Sequence, residues 1–246
     1  MSKNFELLTH CEEDLELFQV AERKARLSAP RRIPLNGDGV AREEVAKLAQ
    51  RIFATPREGF ASRAVVFCGI EHGDGASWMC AQVARTVAAQ RTGTVCAVDA
   101  NLRSPTLHSY LHIANGCGLG DAVRRPEPIR NFLEPGPDGN LWVLSAGSDT
   151  NPGVLFASER FRERLTELRS EFEYLIFDAP PAGHSNDVAV LGALLDGVVL
   201  VVGAHSTRRE TARKAKENLE AGQVRLLGSV LNQRTFPIPD ALYRRL

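Results

Sequence analysis

The chain has 246 residues, 43% of them apolar, which is enough for one sizeable α/β domain with a short appendage and too little for two large domains. Thirty Lys and Arg balance thirty Asp and Glu, so no net field draws the chain to nucleic acid or anionic lipid, and any basic surface must be local. Five cysteines (Cys11, Cys68, Cys80, Cys96, Cys117), odd in number and without a C-x-x-C pair, argue against a disulfide framework or zinc knuckle and fit a reducing cytoplasm.

The opening MSKNFELLTHCEEDLELF is acidic and lacks the basic-then-apolar order of a secretory signal. Phe5, Leu8, Leu15 and Phe18 recur at near-helical spacing, which predicts an amphipathic helix over about residues 4–25. That helix either folds back on its own domain or docks a partner. SAPRRIPLNGDG then reads as a linker, and a second helix, REEVAKLAQRIF, follows.

From Arg63 the chain alternates. The apolar runs AVVFCG, TVCAVD, LWVLSAG, YLIFD, GVVLVV and LLGSVLN read as strands. Between them lie helical segments such as SWMCAQVARTVAAQ, SERFRERLTELRSEF and TRRETARKAKENLEA. Continuous apolar strands alternating with amphipathic helices predict an α/β fold, a doubly wound, mostly parallel sheet with helices on both faces. The longest apolar stretch, Val188 to Ala204, is interrupted by Asp196-Gly197 and is short for a membrane span of about 20 residues. It reads as buried helix, turn and buried strand, so no direct membrane insertion is expected.

Sheets of this kind bind ligands beyond the carboxyl ends of their strands. There the sequence places CGIEHGDGASW, between the first strand and the first sheet helix. In a phosphate-binding loop, glycines let backbone N–H groups close on phosphate oxygens, a lysine reaches the outer phosphates, and the next Ser or Thr ligates Mg²⁺. Gly73, Gly75 and Ser77 hold those places, but Ala76 stands where the lysine belongs. Two further strands, in VCAVDANLR and YLIFDAPP, end in Asp99 and Asp178, carboxylates suited to orienting a Mg²⁺-bound water at the sheet edge.

The run VDANLRSPTLH resembles the second acidic motif, D-x-D-x-R-x-P-x-L-H, of the bacterial tyrosine kinases and related ATPase domains of capsule and exopolysaccharide assembly. SAGSDTNPGVLFAS is similar to their P-A-G-x-x-x-x-N-P-x-E-L-L-x-S loop. YLIFDAPPAGHSNDVAVLGALLDGVVLVV resembles their D-x-P-P strand with a later Asp, and LLGSVLN their G-x-V-x-N close. The resemblance covers about Glu43 to Asn232. It implies a P-loop NTPase of the MinD/ParA-like branch over residues 39–236, preceded by an N-terminal helix and linker (1–38) and followed by a tail (237–246).

The resemblance also implies a site for ATP or ADP formed by Gly73, Asp74, Gly75, Ala76, Ser77 and Trp78, with Asn232 facing the base. Ser77, Asp99 and Asp178 are the implied Mg²⁺ residues, and Asp99 and Asp178 the catalytic carboxylates that organise the attacking hydroxyl. The implied partner is a membrane-embedded polysaccharide chain-length or export protein, which would hold a cytoplasmic subunit at the inner membrane. Self-assembly is a second implied association, although EEVAKLAQ matches the family's E-x-x-R-x-x-R helix only at Glu44, with Lys47 and Gln50 replacing arginines.

Four departures bear on chemistry: Ala76 for the lysine, Asn101 for the second Asp, His72 for the usual Pro, and Trp78 for a small hydroxyl residue. Losing a charge-assisted bond to phosphate costs roughly 1.5–3 kcal/mol of binding. Losing one stabiliser of developing charge costs roughly 10²–10³ in rate. Turnover therefore suffers more than binding, and the expectation is a degenerate, regulatory or scaffolding member. The alternatives are an active autokinase with a substituted phosphate-binding cation, for which Arg103 and Arg63 are candidates, and a positioning ATPase, which would want a lysine early in the loop. The tail offers Tyr243 as acceptor. His108 and His112, four apart, form a candidate metal pair without an evident third ligand, and the helix bearing Arg208, Arg209, Arg213, Lys214 and Lys216 alternates with Glu210 and Glu217 as a solvated face does.

Overall fold

The computed structural model describes residues 39–53, 62–90, 93–147 and 152–233. The expected N-terminal helix and linker and the tail with Tyr243 lie outside the described residues. In chain order the elements are α1 (Gly39–Phe53), β1 (Ala64–Gly69), α2 (Ala76–Gln90), β2 (Val95–Asp99), α3 (Leu107–Leu111), α4 (Leu119–Arg124), β3 (Glu134–Pro135) and β4 (Leu141–Leu144). The second half continues with α5 (Pro152–Ala157), α6 (Glu159–Glu171), β5 (Tyr174–Ala179), α7 (Asp187–Leu194), β6 (Gly197–Gly203), α8 (Arg209–Ala221) and β7 (Leu226–Asn232).

The strands form one sheet in the order β3-β4-β2-β5-β1-β6-β7. Every pairing is parallel except the short β3–β4 contact at its edge. All residues of β1, β2 and β5 are buried, which is why these strands are apolar without alternation. Their side chains still divide by parity. Ala64, Val66 and Cys68 join the core beneath α4 to α8, with Leu119, Phe156, Phe161, Leu191 and Leu219. Val65 and Phe67 join the core beneath α1 to α3, with Val45, Phe53, Val83, Leu107 and Leu111. Each such fully buried side chain contributes about 1.5–3 kcal/mol before the cost of ordering it. The expected two-faced parallel sheet is the fold observed.

The long helices start and stop for local reasons. Ser158 caps α6, its hydroxyl oxygen accepting the Phe161 N–H at 3.1 Å. Within α6, Arg164 is 1% exposed and spends its whole guanidinium on the Ala122 carbonyl in α4, on the Arg125 and Glu127 carbonyls that follow, and on Glu167. On α1, Lys47 pairs with Glu43 and Glu44, each at 2.9 Å, so the residues that loosely matched an oligomerisation helix are engaged with one another on an exposed surface. The basic face of α8 is likewise laced within the helix, Lys216 to Glu220 at 3.2 Å and Arg213 to Glu217 at 3.7 Å. Among the described residues no helix is long and apolar enough to cross a membrane.

Candidate nucleotide site

Gly73 and Gly75 adopt φ of 92° and 85°, conformations open to glycine and strained for other residues. They let the chain leaving β1 double back and enter α2 at Ala76. Asp74, between them, is 1% exposed and points into the loop. Its Oδ2 accepts the N–H groups of Ile70 (3.0 Å) and Glu71 (2.9 Å), while its Oδ1 accepts the hydroxyls of Ser206 (3.1 Å) and Thr207 (2.9 Å). The Asp74 side chain is thus a strut of the loop.

Two amides from the end of β7 complete the frame. Asn232 Nδ2 donates to the Asp74 carbonyl at 2.9 Å, and Gln233 Nε2 donates to the Gly73 carbonyl at 2.9 Å. A side chain at Gly75 would collide with the Asn232 amide. The Nδ2 of Asn232, a residue expected at the base, is therefore committed to the loop. With its carbonyls tied off on that side, the loop offers donors on the other. Among the described residues no acceptor meets the N–H groups of Gly75, Ala76, Ser77 and Trp78. These orphan donors at the start of a 15-residue helix form a nest for an anion.

Beside the nest stand the carboxylates. Asp99 and Asp178 are both 0% exposed and are register partners on β2 and β5, at the carboxyl edge of the sheet. Asp99 accepts the N–H groups of Asn101 and Leu107, each at 3.1 Å. Burial nonetheless raises its pKa to about 7, against the pull of the Leu107, Asn101 and Thr106 N–H groups. Burial, and then the charge of Asp99, push Asp178 well above the carboxylate range. The Ser77 hydroxyl is near enough to favour the charged form of Asp178 but outside hydrogen-bonding geometry, and both Asp178 oxygens are unpartnered. A hydroxyl and two carboxylates, with buried unpaired oxygens, match the hard oxygen donors that Mg²⁺ takes.

The remaining expected residues divide. The Ala76 side chain packs against the apolar layer under α2, as does Trp78, whose indole N–H is buried without a partner. Trp78 therefore does not obstruct the nest. His72 lies on the exposed outer lip, its ring 5.6 Å from that of His184 on the loop after β5. Asn101 is 7% exposed and its Oδ1 is unpaired. Arg63 is displaced from the expected neighbourhood: it precedes β1, and its N–H donates to Asp196 at the amino edge of the sheet, the full strand length from the loop. His112 ends α3 with φ of 57°, His108 Nε2 lies 3.1 Å from Ser109 Oγ, and no group of three or more metal-ligating side chains exists among the described residues.

Ser206, Thr207, Gln233 and Asp187 are contributors that sequence reasoning did not single out. Of these only Asp187 carried a signal, as the later Asp of the D-x-P-P run.

A glycine turn that opens a helix beside two strand-terminal aspartates, on a doubly wound parallel sheet, defines a P-loop NTPase of the MinD/ParA-like branch. A ParA family ATPase from Chlorobium tepidum TLS shares this fold, with a TM-score of 0.55 at 18% identity over 71% of this chain and 76% of its own. No protein-family model matches the sequence. The tyrosine-protein kinase YwqD of Bacillus subtilis is 34% identical over 161 residues, 65% of this chain and 68% of the relative. The solved chimerical protein CapA2B2 superposes with a TM-score of 0.76 at 25% identity, over 85% of this chain and 91% of its own. The chain belongs to the bacterial tyrosine-protein kinase family.

Proposed function

We propose that this protein is a degenerate member of its family, binding Mg²⁺ with ATP or ADP weakly and serving as a regulatory or scaffolding cytoplasmic subunit of capsule or exopolysaccharide assembly. The observation that carries the reading is the combination at one sheet edge of an intact N–H nest with an alanine in place of the lysine. The nest of Gly75, Ala76, Ser77 and Trp78 N–H groups receives phosphate oxygens. Ser77, Asp99 and Asp178 would hold Mg²⁺, which when bound neutralises phosphate charge. In this reading Asp99 and Asp178 would also accept a hydroxyl's proton, but without the lysine and with Asn101 uncharged, less of the developing charge is stabilised. Binding therefore outlasts turnover.

The partner in this reading is a membrane-embedded chain-length or export protein, which would keep the subunit at the inner membrane. An active autokinase is the second reading, favoured by the preserved Asp99–Asp178 pair. Calorimetric titration with ATP and ADP, with and without Mg²⁺, tests the first. The expected result is weak, Mg²⁺-dependent binding, and mass spectrometry after incubation with Mg-ATP should show no rapid tyrosine phosphorylation. Rapid phosphorylation abolished by Asp99→Asn would establish the second reading instead.

A further inference from the structure

We infer that Arg103, aimed by Asp187, makes the outer-phosphate contact that Ala76 cannot. The inference rests on the nucleotide-site reading above and adds to it the identity of the substitute cation. The loop carrying Arg103 is folded over Asp99, which accepts the N–H groups of Asn101 and Leu107, and it is stitched to β5 by the Ala100 N–H donating to the Asp178 carbonyl at 2.8 Å. The loop after β5 is stitched in turn to the phosphate loop: the Ala182 N–H donates to the Gly69 carbonyl at 2.9 Å, and the Gly183 N–H to that of Ile70 at 3.1 Å. Asp187 ends this second loop at the start of α7.

Between the two loops, Arg103 Nε lies 3.8 Å from Asp187 Oδ2. The Asp187 side chain is 9% exposed, and this oxygen has no hydrogen-bond partner, so the guanidinium is the charge that balances a buried carboxylate. The contact uses one edge of Arg103. Its side chain is 61% exposed, and among the described residues its Nη groups meet no acceptor. A guanidinium attracted to Asp187 on its Nε side and free at both Nη atoms can offer two N–H groups to phosphate oxygens. In the sheet, β5 lies between β2 and β1, so the loops that bear Arg103 and Asp187 leave the same carboxyl edge as the phosphate loop, from the strand next to β1 and the one beyond it.

Other cations fit less well. Arg63 is at the opposite edge, and Lys47 is engaged by Glu43 and Glu44. Arg208 follows Thr207, which bonds Asp74, but no carboxylate orients its side chain among the described residues.

The test is calorimetric titration of ATP at fixed Mg²⁺ into the parent, Arg103→Ala, Asp187→Asn, Arg208→Ala, Ala76→Lys and the double variants Ala76→Lys/Arg103→Ala and Arg103→Ala/Asp187→Asn, each checked for an unchanged melting curve. Arg103→Ala should weaken binding about 10- to 100-fold, the worth of a charge-assisted contact. In the Ala76→Lys background the same change should cost less than about threefold, because the lysine then makes the contact and the two effects are not additive. Asp187→Asn should weaken binding in the parent and change nothing further once Arg103 is gone, which a merely structural role would not produce. An Arg103→Ala affinity within about twofold of the parent, an equal loss in the Ala76→Lys background, or a loss in Arg208→Ala instead overturns the inference. If only the Ala76→Lys protein binds ATP, the nucleotide site stands and Arg103 is not its cation. If neither protein binds, both fall.

Discussion

Asp99 and Asp178 face one another across the β2–β5 ladder as direct register partners, both fully buried, with a single strand spacing between their backbones. Two carboxylates so placed cannot both ionise cheaply, so burial and the charge of Asp99 raise the pKa of Asp178.

This arrangement sets a pH dependence of stability. The folded Asp99 has its pKa raised from 3.8 to about 7, so the folded protein binds more protons than the unfolded chain between those values. The stabilising contribution is complete below about pH 4 and is lost as pH rises through about 7; Asp178, raised further, extends the loss upward. Asp178→Asn should therefore be more stable than the parent at pH 8 and should show a flatter profile. Urea unfolding at pH 5 to 8 measures both. A parent protein whose stability rises with pH across this range would contradict the assignment.

Ala76→Lys should raise ATP affinity by about one to two decades in the Arg103→Ala background, where the N–H nest is formed and the outer-phosphate cation is gone, and by less in the parent. Hydrolysis should recover partly, since Asn101 is still neutral. Combining it with Asn101→Asp should give faster phosphate release than either single change in a coupled assay. No gain in affinity would mean that the loop does not receive phosphate.

Asp74→Ala should be among the most destabilising single changes in the loop. It leaves the N–H groups of Ile70 and Glu71 and the hydroxyls of Ser206 and Thr207 without their shared acceptor. A loss of roughly 3 kcal/mol or more is expected, against about 1 kcal/mol for Thr207→Val, both from denaturant midpoints. Equal costs for the two variants would remove Asp74 from its central place.

Gly75→Ala should lose nucleotide binding while the fold survives. A β-carbon there meets the Asn232 amide, and a φ of 85° is strained for alanine. Opening the Asn232–Asp74 bond relieves the collision but releases the loop. Adding Asn232→Ala should restore part of the melting temperature and none of the ATP affinity.

Much of the fold was legible because the parallel strands are buried on both faces and so read as unbroken apolar runs, each ending near the residue that matters: Gly69, Asp99, Asp178, Asn232. The short helices α3, α4 and α5 span five or six residues each, too few to show a helical period. Of the site, Ser77, Asp99 and Asp178 could be placed by their positions at strand and helix ends. The role of Asp74 could not, because its hydroxyl partners lie 132 and 133 residues away. Arg63 and Arg103 looked equivalent as cations along the chain, whereas strand direction separates them: one precedes its strand and the other follows.

The frame around the phosphate loop also fixes when the loop can exist during synthesis. Its struts come from residues 206 and 207 and from 232 and 233, as much as 160 positions further along the chain. The strand that leads into it must first pair with β5 and β6, both from the C-terminal half. A ribosome that has made Gly73 to Ser77 has therefore made only a glycine-rich segment with nothing to brace it. A ligand of this loop could not help the nascent chain fold by binding early, because the braced loop takes shape only when β7 has emerged.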